Sequence, residues 1–198
     1  MRGLRAALAA ALAVGLVTSL AACSNDPLAD QYRSGDNKGY ISGDFRVVEI
    51  PAADRGEPVV FDGTTESGDE VSNADFAGDV LVVNFWYAAC GPCRAEAADL
   101  EKAHAAFEGE DVAFLGINTA DAPEAAAAFA KTYGVSYPSV MAGQDGAVKL
   151  AFAERTPINA TPTTLVLDRE GRVAARIIGQ LPDASVLTSL VRDALGES

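Results

Sequence analysis

Residues 80–96 read V-L-V-V-N-F-W-Y-A-A-C-G-P-C-R-A-E, and this stretch decides the fold. Val80 to Phe85 is a nearly continuous apolar run of strand length, the pattern of a central strand covered on both faces. A helix is predicted to follow from about Cys93 to Phe107, because Ala97, Leu100, Ala103 and Phe107 keep helical spacing. The strand therefore gives way to a helix at Cys90-Gly91-Pro92-Cys93. Residues i and i+3 share one side of a helix with Cβ atoms about 5 to 6 Å apart, so modest adjustment brings two cysteines to disulfide geometry. Cys90 is placed at the helix N-terminus, where unpaired N–H groups and the dipole favour an anion. A thiolate is stabilised there, which makes Cys90 the exposed nucleophile and Cys93, one turn inside and more buried, the resolving thiol. Pro92 suits that first turn because its missing N–H is not needed.

Working outward, Val112 to Ile117 reads as another buried strand, and Pro123 to Tyr133 as a helix with Pro in its first turn and Gly134 just past its end. Thr163 to Asp168 and Val173 to Ile178 flank Arg169-Glu170-Gly171, a hairpin signal. Leu187, Leu190, Val191 and Leu195 mark a closing helix. The order strand, helix, strand, helix, hairpin, helix is that of an α/β domain with a mixed sheet, expected to span residues 46–198.

The chain of 198 residues begins differently. Residues 1–22 carry a charged start, an apolar run from Ala6 to Val17 and then small residues, the layout of an export signal too short to span a bilayer as a permanent helix. Residues 23–45 are rich in Ser, Asn, Asp and Gly and read as a flexible tether. The net charge is −13, with 28 acidic and 15 basic residues. Removing a signal that holds Arg2 and Arg5 makes it more negative still. Nucleic acid is therefore excluded as a partner, since phosphate binding needs clustered positive charge.

Three cysteines are too few for a disulfide-stapled scaffold. A purely structural bridge between Cys90 and Cys93 closes so short a loop that it constrains the unfolded chain little. A zinc site lacks a second cysteine pair, and His104, the single histidine, reads as a surface or boundary residue. No metal or other cofactor is expected; the chemistry resides in the two sulfurs.

Taken together, V-L-V-V-N-F-W, C-G-P-C-R-A-E, the strand end G-I-N with a helix after it, and A-T-P-T-T-L-V-L-D-R-E-G at 160–171 resemble the TlpA/ResA-type thiol-disulfide oxidoreductases of the thioredoxin superfamily. The resemblance covers about Arg46 to Leu195. It implies a thioredoxin-like three-layer fold with a mixed central sheet and an inserted helix between central strands. It makes Cys90 and Cys93 the redox-active disulfide and Pro162 a cis-proline facing it, with Thr161 offering backbone groups to substrate. Glu96 matches an acid that tunes thiol acidity in cytochrome-maturation members; the bland alternative is a solvated helix glutamate. Trp86 is assigned to the substrate-binding surroundings of the pair, with packing beside the site as its other role. Asn84 stands where thioredoxin carries a buried acid, so a proton relay through that position is not expected. Ala89, where the family usually has an aromatic residue, and Ala98, where it often has proline, are departures that bear on partner choice. Leu20-Ala21-Ala22-Cys23 resembles the lipobox of bacterial lipoproteins, which implies a lipid on Cys23 and a place on the extracytoplasmic face of the cell membrane.

The expected function is reduction of disulfides in exported proteins, such as apocytochrome c, with electrons from a membrane thiol carrier. The Gly-Pro between the cysteines leans this way. A disulfide-forming oxidant is an alternative, and would need a strongly stabilised reduced form. A peroxidase of the peroxiredoxin kind is disfavoured by Tyr87, where such enzymes resemble one another in a threonine. A non-catalytic docking module is disfavoured by the intact cysteine pair.

Overall fold

The structure, a computed structural model, describes residues 47–143, 146–155 and 160–197. The expected signal 1–22, the tether 23–45 with Cys23, and Arg46 lie outside the described residues. The strands are β1 (Val47–Glu49), β2 (Asp62–Thr64), β3 (Glu70–Ser72), β4 (Val80–Trp86), β5 (Val112–Asn118), β6 (Ser139–Met141), β7 (Thr163–Leu167) and β8 (Val173–Ile178). The α-helices are α1 (Gly91–Ala105), α2 (Pro123–Tyr133), α3 (Gly146–Ala153) and α4 (Ala184–Gly196).

β4 forms where its apolar run predicts, and all of its residues are buried. Period-2 alternation sends them to two different cores. Val80 and Val82 pack in a cluster with Leu100 and Ala103 of α1 and Leu187 and Val191 of α4. Leu81, Val83 and Phe85 join the opposite cluster, with Phe61 and with Val148 and Phe152 of α3. Phe85 meets Phe152 edge to face at 5.4 Å. Each such burial contributes about 1.5–3 kcal/mol, which is why a strand with no polar face is stable only in the middle of three layers.

The main sheet has the order β1-β8-β7-β4-β5-β6. β4 runs parallel to β5 and antiparallel to β7, so the sheet is mixed and its centre is the strand that delivers the cysteine pair. β2 and β3 form a separate small hairpin.

α2 occupies the range set by its punctuation. Pro123 starts it, and Gly134, at φ 73°, ends it in the left-handed region with its N–H bonded to the Ala130 carbonyl. The insertion between the central strands β5 and β7 is larger than the single helix expected, comprising α2, the edge strand β6 and α3. β7 also stops before Asp168. That carboxylate turns to accept the N–H groups of Glu170 and Arg172 and so closes the hairpin.

Candidate active site

The end of β4 and the start of α1 hold the cysteines. Cys90 is the N-cap of α1, with extended backbone (φ −71°, ψ 115°), and its Sγ accepts the Cys93 N–H at 3.1 Å. The helix cap is thus the sulfur itself, where one of the orphan N–H groups of the first turn finds its partner. The two cysteines are joined in a disulfide with Cα atoms 5.2 Å apart.

Sequence reasoning expected Cys90 to be exposed and Cys93 buried. In the disulfide form both are enclosed, at 3% and 2% exposure, within an apolar cluster that includes Trp86, Ala97, Ala126 and Phe129. What distinguishes them is what each faces. Cys90 Sγ lies 4.0 Å from the Thr161 carbonyl oxygen. Cys93 borders an internal space of about 10 Å³, at the threshold for one water, shared with Asn84, Trp86 and Tyr137. The Thr161–Pro162 peptide is cis. Pro162 is buried and Thr161 half-buried beside the pair.

Trp86 is a packing residue here. It is 5% exposed, its ring lies 4.3 Å from that of Phe129, and its indole N–H donates to Ser139 Oγ at 3.1 Å. It therefore offers little surface in the disulfide form, and packing beside the site is the role that its contacts support. Gly116 makes room for this contact, since a Cβ there would come within 2.8 Å of the Trp86 indole nitrogen.

Glu96 overturns the alternative of a solvated helix glutamate. The 3.6-residue turn of α1 aims it at the sheet, where it is fully buried. Asn84 Nδ2 donates to its Oε1 at 2.9 Å, and the Leu181 backbone N–H donates to its Oε2 at 2.6 Å. Burial pushes its carboxyl up from 4.5 to about 7, and these two hydrogen bonds only partly counter that rise. The site thus has a buried acid, supplied by α1 and held by Asn84, which also donates to Thr164 Oγ1 at 3.1 Å. Tyr137, on the same internal space, is raised by its own burial and then by Glu96 and Glu101, so it stays protonated.

Asp121 was missed by sequence reasoning. Its Oδ2 accepts the Ala88 N–H at 2.6 Å and the Asn118 Nδ2 at 2.8 Å, so it fastens the loop leading into Cys90 to the end of β5. The signal available was an Asn-x-x-Asp spacing just before Pro123, of the kind that builds side-chain turns. His104 is a boundary residue as expected, packed 5.0 Å from the Phe114 ring and 3.1 Å from Ser136 Oγ. Among the described residues no cluster of three or more His, Cys, Asp or Glu side chains is placed to hold a metal ion, and no helix is long and apolar enough to cross a membrane.

The family model described as Redoxin matches residues 48–191, which takes in β2 to β8, the cysteine pair and Pro162. The chain belongs to the Redoxin family. Among its relatives in that company is the thiol-disulfide oxidoreductase ResA of Bacillus subtilis, 26% identical over 120 residues, 61% of this chain and 64% of that protein. The thiol:disulfide interchange protein HelX of Rhodobacter capsulatus is 29% identical over 106 residues, 54% of this chain and 56% of that protein. The chain thus spans less than two thirds of the length of either. Among solved structures, the secreted thiol-disulfide isomerase of Corynebacterium glutamicum superposes with a TM-score of 0.70 at 26% identity, covering 80% of this chain and 99% of that one. The DsbF homologue of Corynebacterium diphtheriae gives 0.66 at 28% identity, covering 78% and 96%. The Redoxin domain here therefore has the thioredoxin-like fold that its residues led us to expect.

Proposed function

We propose that this protein is a thiol-disulfide oxidoreductase that reduces disulfides of exported proteins. The single observation that supports it most is the Cys90–Cys93 pair at the N-terminus of α1, with Cys90 Sγ beside the Thr161 carbonyl. In the reduced pair the Cys90 thiolate attacks one sulfur of a substrate disulfide; that S–S bond breaks, and the second substrate sulfur leaves as a thiolate. Cys93, deprotonated, then attacks Cys90 Sγ, releases the first substrate sulfur and restores the Cys90–Cys93 bond. Two electrons have passed to substrate. The Cys93 proton needs a destination, and Glu96, near neutrality and linked through Asn84 to the space that Cys93 borders, suits that duty. Thr161 and Pro162 receive the substrate segment. A membrane thiol carrier returns the electrons, and apocytochrome c is one substrate of the right kind.

The same reading places the protein on the extracytoplasmic face of the membrane, held by acyl chains on Cys23, each buried methylene contributing about 0.8 kcal/mol. Cys23→Ser should then leave the membrane fraction, and its retention there at the wild-type level would refute the anchor.

The test of the chemistry is trapping. Cys93→Ser in the host should accumulate mixed disulfides with exported proteins that reductant cleaves on a gel, and Cys90→Ser should accumulate none. Equal adducts from both variants, or none from Cys93→Ser, would remove the assignment. The potential of the pair sets the direction: about −270 mV fits the reductase, and about −120 mV would mean an oxidant.

A further inference from the structure

Beside the disulfide lies a groove of about 470 Å³ built from several parts of the fold. Tyr87 comes from the loop after β4, Thr119 from the end of β5, Lys149 and Ala153 from α3, and Thr161 from the segment before β7. The Thr161 carbonyl is 4.0 Å from Cys90 Sγ, so one residue of the groove wall adjoins the reacting sulfur. α3 is fixed against the sheet by Val148 and Phe152, both buried. Lys149 and Ala153 are one turn apart on it and share one face, which leaves Lys149 half-buried at the groove wall.

The charge of this groove runs against that of the chain. Acidic residues outnumber basic ones 28 to 15 overall, yet among the described residues that line the groove there is no carboxylate and one lysine, Lys149. Among the described residues Lys149 has no ion pair. Asp121, whose carboxylate accepts from the loop before Cys90, is engaged by Ala88 and Asn118. On the other flank of the pair Arg94 is tied to the Ala88 carbonyl at 3.1 Å, so the second cation close to Cys90 is held at the loop. A half-buried lysine with no ion pair among the described residues, on the wall of a groove that it shares with Thr161, selects for a negative charge on whatever lies in the groove.

We propose that the groove takes an extended segment of the disulfide substrate that carries an Asp or Glu near its reactive cysteine, and that Lys149 is the specificity-determining residue that pairs with it. This rests on the exchange activity proposed above. The long-range field of a protein of net charge −13 works the other way and attracts basic substrates, so a preference for acidic ones has to come from this groove.

The experiment uses the reduced full chain and disulfide peptides that differ only in bearing Asp or Lys at the positions flanking the cysteine. Neutral dipyridyl disulfide serves as a reference oxidant. The wild type should react about threefold faster with the Asp peptide, the gain expected of one partly exposed ion pair. The ratio should fall toward one in high salt. Lys149→Gln should abolish the preference and Lys149→Glu should reverse it. Equal rates for the two peptides in the wild type, or an unaltered ratio in Lys149→Glu, would overturn the groove assignment while leaving the exchange reading intact. Failure of the wild type to reduce dipyridyl disulfide and both peptides would overturn the exchange reading and this inference with it.

Discussion

Two carboxylates are buried at opposite ends of this domain, and they are treated differently. Asp168, 3% exposed at the β7–β8 turn, faces Arg55 at 2.9 Å and Arg172 at 2.9 Å, and Arg55 also pairs with Glu197. Glu96, fully buried behind the cysteines, has an amide and a backbone N–H on its oxygens and no cation among its hydrogen-bond partners. Asp168 is held by two cations, Arg55 and Arg172. Neutral dipoles leave Glu96 suspended between two states near neutral pH. The first arrangement ties the N-terminal part of the domain to its C-terminal end, and the second keeps a proton available where sulfur chemistry needs one.

The largest effect should come from breaking the compensated end. Arg55→Met removes the cation from Asp168, from Glu197 and from the Ile50 carbonyl, which its Nε reaches at 2.9 Å. A buried carboxylate that loses a partner costs about 4 kcal/mol, so urea unfolding of the oxidised protein should show a loss of that order. A loss below about 1 kcal/mol would mean that Arg172 alone suffices to compensate Asp168. Exchange activity should be unchanged, because this network stands apart from the cysteines.

The uncompensated end should show itself as a pH dependence. Glu96 has its carboxyl raised from 4.5 to about 7 in the folded state, so between those values the native protein binds a proton that the unfolded chain does not. Stability linked to this group is fully present below pH 4.5, falls as pH rises toward 7 and is flat above, with a total on the order of 3 kcal/mol. Glu96→Gln lacks that slope. Subtracting its unfolding free energy from that of the wild type at pH 4.5 and at pH 7.5 isolates the contribution, and a difference that does not change with pH would show that burial does not raise the Glu96 carboxyl.

A third carboxylate sharpens the comparison from between the two. Asp121 is half-buried and serves as a hydrogen-bond acceptor for the loop before Cys90. Asp121→Ala leaves the Ala88 N–H without its partner, which should cost about 1–2 kcal/mol. It should also slow exchange, since the loop that carries Cys90 loosens. Asp121→Asn keeps an acceptor and should recover most of the stability; an equal loss in both variants would show that charge rather than geometry holds the loop.

How far the sequence reveals these features follows from the range of the interactions. β4 was legible because burial on both faces writes itself as an unbroken apolar run, and α2 because Pro123 and Gly134 punctuate it. β1, β2, β3 and β6 have three residues each, too few to show a period, and exist by virtue of the partners they pair with. The cysteine pair was legible because its chemistry is local, spaced at one helical turn. The burial of Glu96 was not, since Leu181, whose N–H holds it, is 85 residues away. Exposure of Cys90 was inferred from its place at a helix start, and failed because the apolar cluster around Trp86 and Phe129 closes over both sulfurs. Lys149 and Asp121 went unremarked for the same reason as Glu96. Asp121 meets Ala88 across the fold, and Lys149 meets the groove wall built from the ends of β4 and β5 and the segment before β7.

The smallest effect expected is on the thiols themselves, and it links the buried acid to the chemistry. Asn84 holds Glu96 and lines the space that Cys93 borders, so the carboxylate acts on the sulfur across one amide and a space the size of a water. Once ionised, Glu96 places a negative charge there and disfavours a thiolate. Below about pH 7 it is largely neutral and exerts little effect, so the influence falls on the part of the thiol titration above that value. Glu96→Gln should therefore shift the upper thiol step of the reduced protein to lower pH, by about one unit or less because the amide intervenes, equivalent to about 1 kcal/mol. Thiolate absorbance followed across the pH range reads this directly, with the reaction rate toward a neutral alkylating agent as an independent measure. Asn84→Ala supplies the control, because removing the amide while keeping the acid should change the same step and leave Arg55 and its partners untouched. If neither variant moves the titration, Glu96 acts on stability alone, and the proton released by Cys93 leaves by another path.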